Sequence, residues 1–172
     1  MKPRLALLIG MIFAAAGMRL LPHPPNLDPI GALALFGVAH VDNKRWAFII
    51  PLAAMLLSDA VIGFHAQMPV IYGTFALIVC MGFVLRQRRT PLPVAGMALA
   101  ASTLFFIVTN FGVWAFSSMY PKTLEGLVSC YVAAIPFLGN TVAGNLFYAA
   151  VLFGAFALAE RKIPVFASAA RS

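Results

Sequence analysis

Six apolar runs, separated by short segments that carry nearly all the charge, leave this chain few ways to fold. They cover residues 3–21, 29–41, 46–64, 68–85, 92–116 and 141–159. A helix needs about 20 apolar residues to cross the hydrocarbon of a bilayer, and five of the runs approach or exceed that length. Of the 172 residues, 62% are hydrophobic and only 10% are charged, too few to cover the surface of a soluble domain. The reading is an all-α polytopic membrane protein forming a single transmembrane domain.

The second run is short for a span, and charge decides whether it crosses. With six crossings and both termini cytoplasmic, the inner segments hold Lys2/Arg4, Lys44/Arg45, Arg86/Arg88/Arg89 and Arg161/Lys162/Arg171, leaving Arg19 and Lys122 outside. With five, the Arg86 cluster falls outside and the cytoplasmic excess of Lys and Arg is lost. Six transmembrane helices are therefore expected, the first retained rather than cleaved as a leader, because Met18, Arg19 and a Pro-rich stretch follow it. The net charge of +7 is spread over these clusters, with no continuous basic face, so nucleic acid is not expected as a partner.

Two outer segments stand out. Leu20 to Pro29 contains four prolines and reads as a stiff lid. The outer loop 117–140 is apolar from Leu124 to Leu138 and is expected to be partly folded back over the bundle. No phosphate-binding glycine loop, HExxH or GxSxG is present, and five acidic residues give paired-carboxylate catalysis little to work with.

The polar residues inside the apolar runs carry the most information. Asp59, Tyr72 and Thr74, Thr109 and Asn110, and Asn145 and Tyr148 come from four helices and all fall in the expected outer half. A charge or amide in hydrocarbon costs a few kcal/mol unless it faces protein or water. Either these residues line a pocket that opens outward, with Arg19 and His23 on its lid, or they join the helices by hydrogen bonds. Cys80 lies twelve residues below Met68, which at ~1.5 Å per residue is ~18 Å deep, near the midplane. Gly73 and Ala76 stand above it, leaving room for a flat ligand. A buried structural cysteine is the commoner fate of a lone apolar thiol, and the spacing alone leaves both readings open.

The segments RLLPHPPNLDPIGALALFGVAH (19–40), PLAAMLLSDAVIGFH (51–65), TNFGVWAFSSMYPKTLEGLVSCYVAAIPFLGN (109–140) and NLFY (145–148) resemble small bacterial membrane proteins related to the substrate-binding S-components of energy-coupling-factor (ECF) vitamin transporters. The cysteine in IYGTFALIVCMGF makes the chain similar to the BtuM-type subgroup, which is linked to vitamin B12. The resemblance implies an S-component-like bundle in the bacterial inner (cytoplasmic) membrane that captures cobalamin from outside. It makes Cys80 the axial ligand of the cobalt, with Arg19, His23, Asp59, Tyr72, Gly73, Ala76, Asn110, Asn145 and Tyr148 as expected lining residues. It also implies docking on a shared ECF module of ATPases and scaffold, and allows Cys80 a catalytic part in removing a cyano or alkyl group from cobalt. Three alternatives remain: another vitamin in the same pocket, a membrane thiol enzyme acting on a corrinoid, and an assembly subunit with no ligand.

Overall fold

The computed structural model describes residues 3–163, in which every regular element is helical. Helix α1 (Pro3–Gly17) ends in a 3-10 turn over Met18–Leu20. Then come α2 (Ile30–His40), α3 (Lys44–Ile62), α4 (Met68–Gly82) with a closing 3-10 turn over Phe83–Arg86, α5 (Pro91–Phe116) and α6 (Leu124–Lys162). Helices α1, α3, α4, α5 and α6, counting the closing turns, are long and apolar enough to cross a membrane. This is the architecture of a membrane protein. Of the cations assigned to the inner side, Lys2 and Arg171 lie outside the described residues.

The short second run has become the centre of the molecule. All eleven residues of α2 are buried, and it packs on each of the other five helices. At ~1.5 Å per residue it is only ~16 Å long, but its sides meet protein rather than lipid. Close approach is built into the sequence: a Cβ at Gly37 would run into the ring of Pro51 on α3, and one at Gly82 of α4 would run into Val38. The helix ends are closed from outside α2 itself. Ile30 N donates to Asp28 Oδ1 at 3.0 Å, and Ala32 N donates to Asn145 Oδ1 of α6 at 3.1 Å. At the other end the Arg86 guanidinium donates to the carbonyls of Val38, Val41 and Asp42 at 2.7–2.9 Å, which satisfies acceptors that a helix terminus leaves free.

That end of the bundle is strongly basic. Arg4 pairs with Glu160 at 3.0 Å and donates to His40 O at 3.1 Å, joining the start of α1 to the ends of α2 and α6. The expected cation clusters at 44–45, 86–89 and 161–162 all adjoin helix ends on this side.

The segment 117–140 differs from expectation. Only residues 117–123 form a connection. The segment from Leu124 onward does not fold back but continues straight into α6, giving one helix of 39 residues, ~58 Å at ~1.5 Å per residue. Thr123 starts it by accepting from Gly126 N at 3.2 Å, and Glu125 in the first turn suits the positive helix end. Pro136 removes one backbone donor without ending the helix. The extension is held against the C-terminal half of α5: Tyr131 Oη donates to Ile107 O at 2.7 Å, and Cys130 Sγ contacts Asn110 O at 3.4 Å. These cross-contacts favour a helical hairpin over a segment lying across the bundle.

Candidate functional site

At the end opposite the basic cluster, three of the expected site residues come together. Arg19, in the turn that closes α1, reaches α3 and pairs with Asp59 Oδ1 at 2.7 Å, while the Tyr72 hydroxyl of α4 donates to Asp59 Oδ2 at 2.8 Å. Arg19 also donates to Ser58 Oγ and Met55 O. Asp59 sits in the last turn of α3, where the negative helix end disfavours a carboxylate. The guanidinium and the phenol offset that placement. The Arg19 and Asp59 side chains are 11% and 5% exposed, so this is a buried, internally paired cluster that ties three elements together. Ser58, which donates to Met55 O at 2.8 Å, belongs to the cluster and escaped the sequence reading. Its signal was the Ser-Asp pair inside an apolar run.

The other polar residues are dispersed. Asn145 is buried between α2, α5 and α6. Its Nδ2 donates to Ser102 Oγ at 2.8 Å and its Oδ1 accepts from Ala32 N, so both ends of the amide are used. Gly31 makes room for it, since a Cβ there would collide with the Asn145 amide. Tyr148 is buried one turn further along, its ring against Phe147. Asn110, half-buried, donates back to Phe106 O at 2.8 Å within α5. His23 is exposed, and its Nδ1 contacts Leu21 O at 2.6 Å. Asn145 therefore follows the helix-joining reading, and Arg19, Asp59 and Tyr72 form one group without it.

The lid expectation has a structural counterpart. The Pro-rich segment rests on α6, with Asn140 Nδ2 donating to Pro25 O at 2.9 Å. A Cβ on Gly144 would meet the backbone of Leu27 and Asp28 at 3.1–3.2 Å. Asp28 is half-buried here, and burial pushes its carboxyl above the usual range. A cavity of about 10 Å³ lies between this segment, Asn145 and Thr141, close to the lower limit for one water. It does not have the volume of a vitamin.

Tyr72 also marks the top of a second feature. Gly73, Leu77 and Cys80 lie on the face of α4 turned away from α2, and all three are exposed, with Ala76 half-buried beside them. A Cβ at Gly73 would have nothing within 4 Å. The seven residues from Gly73 to Cys80 correspond to ~10 Å along the helix. Helices α3 and α4 touch little, although each packs closely on α2. The free thiol of Cys80 thus sits on an open face of α4, further along the helix from the Arg19–Asp59–Tyr72 cluster. Leu77, which the sequence reading passed over, shares that face. Cys130, in contrast, is buried in the α5–α6 hairpin.

Chemically, this face offers one soft donor and a polar rim. Among the described residues no three His, Cys, Asp or Glu side chains gather to hold a metal ion. A bare cation would find one thiol there, whereas a metal already held in a macrocycle needs one axial donor. No curated protein and no solved structure matches the chain. A family model does, over residues 1–166, and the chain belongs to the family it describes, a family of unknown function, DUF6580.

Proposed function

We propose that this protein captures cobalamin from the outer side of the bacterial inner membrane, with the Cys80 thiolate as axial ligand of cobalt. The observation that carries the reading is the exposed thiol on an open α4 face, with side-chain-free space at Gly73 above it. A corrin standing on that face would meet sulfur at one point and the Arg19–Asp59–Tyr72 group toward its amide-bearing rim. To become the axial donor, the thiolate must displace the nucleotide base or the upper ligand, so capture and ligand removal share one residue. The bundle is read as S-component-like, with six crossings, both termini cytoplasmic and the basic end inside, in keeping with the grouping of Lys and Arg. The sequence contains no ATP-binding phosphate loop, so energy for uptake is assigned to an ECF ATPase and scaffold module.

Cobalamin added to the purified protein should show shifted visible bands, because axial donor strength sets the cobalt electronic levels. Cys80→Ala should fold and lose the shift, while Cys130→Ala should keep it. Since the thiol releases a proton on binding, affinity should weaken as pH falls. A Cys80→Ala protein with the wild-type spectrum and affinity ends this reading. One observation favours a second reading: Leu77, like Val84 further along, makes the same face apolar enough to meet lipid directly. In that case Cys80 is inert, and the protein leaves the corrinoid spectrum unchanged.

A further inference from the structure

A sizeable concavity lies away from both Cys80 and the outer polar residues. It is a groove of about 590 Å³ between α5 and α6 at the basic end of the bundle. Its α6 wall includes the helix face Ala150, Gly154, Ala157 and Arg161, spaced four, three and four residues apart, with Leu146, Ala149 and Phe153 beside it. Its α5 side is floored by Val94 and closed at the basic end by Arg89. A Cβ at Gly154 would have nothing within 4 Å, so the trough is open where an alkyl chain would run.

Charge identifies the occupant. The two carboxylates at this end, Asp42 and Glu160, are both engaged by Arg4. Among the described residues neither Arg89 nor Arg161 has a carboxylate within 4 Å, and Glu160 and Asp42 act on Arg89 only from further away. A second copy of this chain docking symmetrically would bring its own Arg89 and Arg161 against these, which like-charge repulsion opposes. The complementary molecule has an apolar tail and an anionic head.

We propose that this groove is a specific site for an anionic phospholipid, its acyl chain along Ala150–Ala157 and its phosphate between Arg89 and Arg161. Basic pockets between helices at a membrane face are suited to such headgroups. The site is independent of the Cys80 face, so it stands whether or not cobalamin is the cargo.

The test is native mass spectrometry of the delipidated full chain, titrated with phosphatidylglycerol and with phosphatidylcholine of the same acyl chains. The wild type should retain phosphatidylglycerol preferentially. Arg89→Gln with Arg161→Gln should weaken that binding by roughly thirtyfold, on the scale of one basic side chain per headgroup interaction, and bring the two lipids level. Gly154→Leu, which places its side chain in open space, should reduce binding of both lipids and leave helix content unchanged. Inorganic phosphate alone should not displace the lipid. Unchanged phosphatidylglycerol affinity in the double arginine variant overturns the proposal, as does full competition by phosphate, which would make the site one for free anions. A monomer–dimer shift caused by Gly154→Leu would identify the groove as a contact between copies and equally refute it.

Discussion

Asn145 is the residue whose role changes most between sequence and structure, and its replacement by alanine tests the change. The amide caps the first turn of α2 from a different helix, accepting from Ala32 N at 3.1 Å, and donates to Ser102 Oγ at 2.8 Å. Removing it leaves the Ala32 N–H buried without a partner, which costs about 1–3 kcal/mol. The Ser102 hydroxyl still donates to Ala98 O, so the second loss is one interhelical hydrogen bond, about 0.6–1 kcal/mol in a membrane. The total is about 2–4 kcal/mol, with little extra from the cavity because Gly31 opposite has no side chain to lose contact. Thermal unfolding in mild detergent, followed by loss of helical signal, should show the decrease. The folded fraction should bind any ligand as the wild type does, since both ends of the amide face protein. A loss below about 0.5 kcal/mol would show that α2 does not depend on this cap. Lost ligand binding in a protein of undiminished stability would return Asn145 to the ligand site.

Three further outcomes are expected. Arg19→Ala and Asp59→Ala should each destabilise by about 3 kcal/mol, because each strands a buried charge, and the double variant should lose much less than the sum; additive losses in detergent melts would contradict the pairing. For Asp28, burial raises the folded pKa above the unfolded value of 3.8, so its contribution is present below that value and fades as pH rises through the raised one. Asp28→Asn retains an acceptor for Ile30 N and should gain on the wild type as pH rises above the ordinary carboxylate value of 3.8; a variant that loses stability with rising pH as steeply as the wild type would remove Asp28 as the cause. Finally, single cysteines introduced at positions 43 and 89 should resist a membrane-impermeant reagent applied from outside, while one at 122 reacts; labelling of position 89 would exclude six crossings with the basic end inside.

The helices themselves were legible in the sequence. The first five runs reappear with boundaries within about two residues once the closing turns are counted, because a long apolar segment in lipid has to satisfy its backbone internally and helix is the local way to do so. The grouping of cations at one end was also legible, since charge clusters mark the ends of apolar runs whatever the packing. The Pro-rich segment was recognised as stiff, but its seat on Gly144 and Asn140 was not. Apolar composition alone could not distinguish a segment folded back over the bundle from an extension of α6. Contacts with Ile107 and Asn110 of α5 decided that.

What the tertiary structure decided was azimuth. In helices that are apolar nearly all round, hydropathy carries depth but not direction, and only neighbouring helices determine which face turns inward. Asp59 and Asn145 have similar signatures in the sequence, yet Asp59 is paired by Arg19 and Tyr72, whereas Asn145 caps the buried helix α2. Likewise the depth of Cys80 follows from counting residues along α4. Its exposure depends on α4 packing its other side against α2 and α5, because the position of a residue along a helix is local and the choice of buried face belongs to the bundle.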